Sequence, residues 1–271
     1  MKNILICTDC SENAKRATEQ CFEIFKGDSK QYSLLNSFSV SDSYSEDVVD
    51  IVDNLKVKTN RALTKEFKRI QDLPQFNGTF KDKQAVFGNT ENVVGRFIAK
   101  NAVDLIVVGS QGGNYHPEKL FGSTTENLIY DFPIPKLIVP QRKLENKKPT
   151  QLVIVEESQL KDRKWWSTVV KMSKNQSYAI KLVIITNGKE KDSSSISSQY
   201  LDDGMLIHSL HSSSTGNELN ESLNRLIQHE KPTLLNINLS DEKLARKLIQ
   251  TNGIQESVFN EVPFIFQPLR R

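Results

Sequence analysis

Asp104-Leu-Ile-Val-Val-Gly-Ser-Gln-Gly112 joins an uninterrupted aliphatic run to a glycine-containing turn. A short apolar run without polar alternation is typical of a parallel strand that is buried on both faces. After Gly112 and nine intervening residues come Gly122-Ser-Thr124, where two hydroxyl side chains stand at the start of a predicted helix. Glycines let backbone amides approach a ligand closely, and a helix N-terminus favours negative charge. The pattern therefore predicts an anion site at the carboxyl end of a buried strand.

Strand and helix patterns alternate on both sides of this stretch. Ile4–Cys7 is a second short apolar run, and Ser11 follows it where a helix N-cap belongs. An amphipathic pattern over 45–71 predicts a long helix whose apolar face includes Ala62 and Ile70. Further strands are predicted over 32–38, 79–87, 104–108 and 136–139. Strands that alternate with helices in this way predict an α/β fold, with a parallel, doubly wound sheet and right-handed crossovers.

A polar stretch without periodicity, 141–150, divides the chain and is typical of a linker. After it the strand and helix patterns start again, more weakly. The segments 135–140 and 263–268 each begin and end with proline around four mostly apolar residues. We interpret this as an internal duplication, which predicts two tandem Rossmann-like domains, 1–141 and 150–271, each a five-stranded parallel sheet flanked by helices. Two unrelated α/β domains are the alternative.

Composition argues against several functional classes. The 36 basic and 33 acidic residues give a net charge of only +3, which provides no general attraction to nucleic acid or to an anionic membrane. No stretch reaches the roughly 18 apolar residues that a membrane span needs. The three cysteines all lie within the first 21 residues and cannot cross-link the whole chain. These features predict a cytoplasmic protein without nucleic-acid or membrane partners.

The first predicted strand adds a carboxylate to the anion site, because Asp9 comes directly after it. In doubly wound sheets, ligands bind outside the carboxyl ends of the strands, at the point where the strand order reverses. The first strand and the strand ending at Val108 are predicted to flank that point. A carboxylate there accepts hydrogen bonds from an adenine amino group or from ribose hydroxyls.

Four segments together resemble the universal stress protein family. They are Thr8-Asp9-Cys10-Ser11-Glu12, the run from Asp104 to Ser110, the Gly-x-x-Gly-x9-Gly-Ser-Thr pattern, and the closing Phe132-Pro-Ile-Pro-Lys-Leu-Ile-Val-Pro140. The resemblance covers 3–140 and is faint beyond. It implies an ATP-binding member with a fold like that of the adenine nucleotide alpha hydrolases, and ATP, with or without Mg²⁺, as its ligand. The nucleotide-binding residues that it implies are Cys7, Thr8, Asp9, Ser37, Val108, Gly109, Gly112, Gly122, Ser123 and Thr124.

Two of these residues depart from the family's pattern. Cys7 replaces a proline or small residue, and Ser37 replaces an aliphatic residue against the adenine, which makes the base pocket more polar. The family also implies pairing through the closing strand 136–139, here between the two halves of one chain as a pseudo-dimer. A homodimer is a second expectation of the same kind.

The second half lacks the glycine pattern. It has Asn236-Ile-Asn-Leu-Ser-Asp241 in place of the glycine loop, and Glu156-Glu157 puts adjacent carboxylates where phosphates would bind. Because like charges repel the ligand, we expect no nucleotide in this half. The function expected for the chain is a nucleotide-dependent stress-response regulator. The alternative is a ligand-free scaffold or interaction protein whose glycine loop is a relic.

Other motifs point to chemistry that we consider less favoured. Cys7-x-x-Cys10 follows a strand as redox motifs do, but Asp9 between the thiols opposes thiolate formation. His208 and His211 have no further metal ligands beside them. No Walker lysine motif is present, and His116 is the only candidate base near the loop. We therefore expect a protein that is not an enzyme, although slow ATP hydrolysis remains compatible with the sequence.

Overall fold

The computed structural model describes residues 1–25, 30–40, 48–111, 121–141, 149–186, 206–211, 216–239, 248 and 262–267. The chain divides into two compact units, Met1–Val139 and Pro140–Arg271. Among the described helices, none combines the length and the apolar content that a membrane crossing requires.

The described part of the first unit is a parallel sheet of five strands with four helices. The strands are β1 (Asn3–Cys7), β2 (Lys30–Phe38), β3 (Gly78–Phe87), β4 (Leu105–Gly109) and β5 (Lys136–Val139). The helices are α1 (Glu12–Ile24), α2 (Val48–Gln71), α3 (Thr90–Lys100) and α4 (Ser123–Asp131). The strand order is β3-β2-β1-β4-β5, and every described pair is parallel. The predicted doubly wound α/β fold is confirmed.

The strands at the centre of this sheet form where the sequence is most apolar. All five residues of β4 are buried, as are Ile4 through Cys7 of β1. Strands covered on both faces need no polar alternation, which explains why both runs were recognisable. Ser11 is the N-cap residue of α1, as predicted, and its side chain accepts a hydrogen bond from the backbone nitrogen of Ala14 at 3.3 Å.

Helix α2 corrects one prediction about the core. Ala62 is exposed, and its neighbour Leu63 is buried instead, with 1% of its surface accessible. The inner face of α2 also includes Glu66, which is 3% accessible and accepts two hydrogen bonds from Arg69, each 2.8 Å long. A buried carboxylate inside the apolar stripe made the true face of the helix hard to recognise from hydrophobic spacing.

The described part of the second unit repeats this arrangement. Its strands are β6 (Thr150–Glu156), β7 (Ala179–Thr186), β8 (Leu206–His211), β9 (Leu234–Asn238) and β10 (Phe264–Gln267). Its helices are α5 (Arg163–Gln176) and α6 (Gly216–Glu230), with a 3₁₀ helix over Glu157–Lys161 that was not predicted. The strand order is β8-β7-β6-β9-β10, again parallel throughout. From its first strand to its fifth, each unit therefore has the same strand order.

A buried lysine closes the C-terminal end of α4. Lys136 opens β5 with no accessible surface, and its Nζ donates to the carbonyl oxygen of Ile129 at 3.0 Å and to that of Phe132. These carbonyls belong to the last turn and end of the helix, where a cation is favourable. Burial lowers the pKa of Lys136 to about 7, although the charge of Asp131 acts in the opposite direction.

This environment predicts a pH-dependent contribution to stability. The folded pKa of about 7 lies below the usual 10.5, so the unfolded chain binds more protons between these values. The contribution of Lys136 to the unfolding free energy is therefore complete above pH 10.5, where the lysine is neutral in both states. It is lost as the pH falls through about 7, because the buried amine must then take up a proton. We expect the unfolding free energy of the wild type, relative to Lys136→Met, to rise by roughly 2 kcal/mol between pH 7 and pH 9. Denaturant titrations at both pH values measure this, and an unchanged difference would contradict it.

Candidate functional site

A cleft opens at the carboxyl edge of the first unit's sheet. Strands β1 and β4 are neighbours there, and their chains continue in opposite directions, to β2 on one side and to β5 on the other. Right-handed crossovers therefore send α1 and α4 to opposite faces of the sheet. Helix α1 packs against β4 and β5, whereas α4 packs against α3. This is the topological switch point, where doubly wound proteins bind their ligands.

The cavity at this point has a volume of about 430 Å³, within the range of small-molecule sites. The structure brings most of the sequence-predicted residues together around it. Nine of the ten line the cavity: Cys7, Thr8, Asp9, Ser37, Val108, Gly109, Gly122, Ser123 and Thr124. The tenth, Gly112, lies outside the described residues, as does His116.

Seven further residues line the cavity and were missed from the sequence. They are Ala14, Leu35, Thr90, Val94, Gln111, Phe121 and Thr125. Periodicity could have found some of them, because Leu35 lies two positions before Ser37 on a strand. Val94 likewise follows Thr90 by about one helical turn. The other positions carry no comparable signal.

Gly109, the last residue of β4, is a glycine because of a close approach. A Cβ atom there would lie 2.6 Å from Nδ2 of Asn13 and 3.3 Å from the carbonyl oxygen of Gln111. The side chain of Asn13 is buried, and its Nδ2 donates to that same oxygen at 2.7 Å. Helix α1 thus holds the first residues of the loop that follows β4, and only glycine leaves room for this contact.

The N-terminus of α4 forms one wall of the cleft. Gly122 is its N-cap residue and provides no side-chain hydrogen bond to the first turn. Its own nitrogen donates to the carbonyl oxygen of Ser110 at 2.9 Å, which ties the helix start to the end of β4. The first amides of any helix lack intrahelical partners. Here they lie at the cleft beside the hydroxyls of Ser123 and Thr124, an arrangement that suits a bound anion.

Asp9 lines the cleft and lies in the tight turn after β1. One of its carboxylate oxygens accepts from the backbone nitrogen of Ser11 at 2.9 Å. Thr8 Oγ1 accepts from the nitrogen of Cys10 at 2.9 Å, and Cys10 adopts a left-handed conformation with φ of 61°. These local bonds hold the turn that carries the exposed carboxylate of Asp9. The turn follows β1, which lies between β2 and β4 in the sheet.

The far end of the cleft is apolar apart from one pair of hydroxyls. Ser37 Oγ on β2 and Thr90 Oγ1 on α3 are 2.7 Å apart, and either atom can be the donor. The buried side chains of Leu35 and Val94 line the same region of the cavity. The polarity expected from Ser37 is therefore present, and Thr90 shares it.

The alternatives based on cysteine and histidine gain no support. Burial raises the pKa of Cys7 to about 12, and burial also raises that of Cys10. Both thiols are free and are held in the unreactive, protonated form. His208 and His211 lie three positions apart on β8. No cluster of three potential metal ligands occurs among the described residues.

One buried hydrogen bond links the start of α4 to the glycine of β4, which leads to a prediction about stability. Thr125 Oγ1 donates to the carbonyl oxygen of Gly109 at 2.8 Å. We expect Thr125→Val, which keeps the shape but removes the donor, to lower the unfolding free energy by about 1–2 kcal/mol. Thr125→Ser retains the hydroxyl and should cost less. Equal losses in the two variants, measured by denaturant titration, would contradict a role for this bond.

The second unit differs at the equivalent positions. Gly109 ends β4 and pairs with Val139, whereas Asn238 ends β9 and pairs with Gln267. Asn238 is buried, as is Glu156 at the end of β6. A buried asparagine thus stands where the first unit needs a glycine, and a carboxylate lies on the neighbouring strand. Both differences are in line with the expectation that this unit binds no nucleotide, which stays a prediction.

A doubly wound sheet with a glycine-containing cleft at its switch point defines a Rossmann-like α/β protein. The chain belongs to the universal stress protein family, whose sequence profile matches residues 1–140. No curated protein matches the chain in sequence.

Solved structures extend the likeness in fold to the whole chain. A universal stress protein from Archaeoglobus fulgidus DSM 4304 is 14% identical with a TM-score of 0.68, over 99% of this chain and 96% of that chain. A functionally unknown protein, PA1789 from Pseudomonas aeruginosa PAO1, is 13% identical with a TM-score of 0.55, over 98% of this chain and 92% of that chain. A universal stress protein in complex with cAMP is 18% identical with a TM-score of 0.39, over 51% of this chain and 96% of that chain. The first two of these likenesses show the fold, and the fold alone.

Proposed function

We propose that the first unit binds ATP in the cleft between β1 and β4, and that the chain is a nucleotide-dependent regulator in a stress response. The observation that carries this proposal is the N-terminus of α4, which has no side-chain cap and lies beside Gly109 in a cavity of about 430 Å³. This wall combines main-chain amides, two hydroxyls and a position where a side chain has no room. Such a wall suits phosphate groups.

The strand order supports a direction for the bound nucleotide. Strand β1 lies between β2 and β4, and adjacent strands are about 4.8 Å apart. Phosphates at β4 and α4 put the ribose over β1, where Asp9 can accept from its hydroxyls. The base then reaches the apolar end formed by Leu35, Ser37 and Val94. A cavity spanning these three strands accommodates such an extended ligand.

Binding rather than catalysis is the role that we propose. Among the described residues lining the cleft, Cys7 and Asp9 are the ionisable ones, and Cys7 is held protonated. Neither provides an evident base for ATP hydrolysis. Mg²⁺ commonly binds through phosphates and water with few protein ligands, so the fit of ATP does not require a protein metal cage.

Bound ATP would contact elements from both faces of the sheet, namely α1 through Ala14 and α4 through Ser123. Ligand binding can therefore bias the contacts that these helices make with a partner. We propose that the second unit acts in packing or partner binding. Its pairing with the first unit, a homodimer and a cytoplasmic location stay predictions.

Analysis of nucleotide released from the purified chain tests the proposal. The full-length protein is denatured, and the supernatant is analysed by ion-exchange chromatography and mass spectrometry. We expect adenine nucleotide in the preparation, or micromolar binding when ATP is added to nucleotide-free protein. A chain that neither carries nor binds nucleotide would instead favour the ligand-free scaffold.

A further inference from the structure

The hydroxyl pair at the apolar end of the cleft has an unusual hydrogen-bonding capacity. Ser37 Oγ and Thr90 Oγ1 lie 2.7 Å apart, with either able to donate to the other. Each hydroxyl has one hydrogen and two lone pairs. One hydrogen and one lone pair are used between them, so the pair keeps one donor and three lone pairs. Reversing the internal bond moves the free hydrogen from one oxygen to the other.

The surroundings leave this pair as the main polar feature at its end of the cleft. Leu35 is 2% accessible, Val94 has no accessible surface, and the thiol of Cys7 is protonated. Ser37 and Thr90 are half-buried and line the cavity. Among the described residues, no charged side chain lines this end, since Asp9 follows the neighbouring strand β1. A base that enters this end meets aliphatic walls and two hydroxyls.

The pair can complement either of two base edges. Adenine presents an amino donor beside a ring acceptor, whereas guanine presents a carbonyl acceptor beside a ring N–H donor. A group of fixed polarity satisfies one of these edges and leaves the other unpaired, which is how sites discriminate between them. Hydroxyls rotate to suit the partner. The Ser37–Thr90 pair can therefore bind both edges by reversing its internal bond.

We infer that the Ser37–Thr90 pair contacts the polar edge of the base, and that the cleft accepts adenine and guanine nucleotides alike. The ligand class is then purine nucleoside triphosphates rather than ATP alone. This inference rests on the proposed function, because it assumes a nucleotide with its phosphates at α4. It adds Thr90 as a specificity-determining residue.

Calorimetric titration of the full-length chain with ATP and GTP tests the inference. For the wild type we expect dissociation constants within about tenfold of each other. Thr90→Asp replaces a hydroxyl with an acceptor-only group at the first position of α3, where a carboxylate favours the helix. Its charge repels both triphosphates equally, so the ratio of the two constants isolates base recognition. The carboxylate can accept from both the ring N–H and the 2-amino group of guanine, whereas adenine offers it only one amino group, so we expect this ratio to shift toward GTP by about tenfold or more.

Thr79→Asp is the matched control, since it adds the same charge at an exposed position near the opposite end of β3 from the cleft. It should leave the ratio unchanged.

If Thr90→Asp fails to fold, the double variant Ser37→Ala with Thr90→Val provides the test, and both nucleotides should bind to it about tenfold more weakly. A wild type that binds ATP but prefers it over GTP by far more than tenfold overturns the inference and leaves ATP binding intact. The inference is also overturned if the variants at Ser37 and Thr90 change neither the ratio of the two dissociation constants nor the affinity for either nucleotide. Failure of the wild type to bind either nucleotide overturns the proposed function as well.

Discussion

Gly109→Val is expected to weaken ATP binding by more than about hundredfold. The new Cβ would lie 2.6 Å from Nδ2 and 3.0 Å from Cγ of Asn13, closer than such atoms can pack. The asparagine must then move and give up its 2.7 Å bond to the carbonyl oxygen of Gln111. The added methyl groups also occupy the cleft beside the start of α4. The variant should therefore lose both the shape of the site and the support of its loop.

Gly95→Ala provides the matched control for this substitution. Gly95 lies within α3, and a Cβ there would meet the ring of Phe132 at 3.5 Å, an ordinary contact. Alanine in a helix interior is about 0.5–1 kcal/mol more favourable than glycine. Gly95→Ala should keep full ATP affinity with equal or higher stability. Unchanged ATP affinity in folded Gly109→Val would contradict the proposed site.

A second substitution identifies the clash directly. In an Asn13→Ala background, Gly109→Ala has room for its Cβ, so it should cost less stability than in the wild type. We expect a coupling of at least about 1 kcal/mol between the two positions, measured by a double-mutant cycle of unfolding free energies. Additive effects would mean that the glycine is required for another reason.

The sequence allowed the central strands and the start of α4 to be predicted, because both depend on local patterns. Ile4–Cys7 and 104–108 are apolar runs, and the observed strands Asn3–Cys7 and Leu105–Gly109 differ from them by one residue at an end. The start of α4 at Ser123 follows from the glycine and hydroxyl pattern. Such features depend on the pattern of consecutive residues, so they can be recognised without knowledge of any distant contact.

The parts that were missed depend on contacts between distant residues. Asn13 supports the loop after β4 through a bond to Gln111, which lies 98 positions away. Thr90 becomes part of the cleft only because α3 brings it against Ser37, 53 positions earlier. The position of Leu63 was obscured by the neighbouring buried Glu66, whose burial depends on its ion pair with Arg69. No single-sequence pattern contains these partnerships.

Ser123→Pro is expected to weaken ATP binding by roughly 10- to 100-fold more than Ser123→Ala. Both variants remove the hydroxyl, but only proline also removes the main-chain N–H. Ser123 is the first residue of α4, a position where proline is well tolerated. Gly122 before it has φ of −66° and ψ of 153°, the extended conformation that a following proline requires. The helix should therefore stay intact while one amide is lost.

Calorimetric titrations with ATP measure the two affinities, and thermal melts check that both variants keep wild-type stability. Since both variants lack the hydroxyl, the difference between them reports the loss of the main-chain N–H together with the ring carbon that replaces its hydrogen. Equal affinities would show that this amide does not contact the phosphates. The anion site would then have to lie elsewhere in the cleft.

The most direct test of the central claim is an amide NMR titration of the isotopically labelled full-length chain with ATP. We predict that the backbone amide signals of Ser123 and Thr124 shift on addition of ATP, while those of Ile237 and Asn238 in the second unit stay in place. Shifts confined to the second unit, or no shift of the α4 amides at millimolar ATP, would contradict the account.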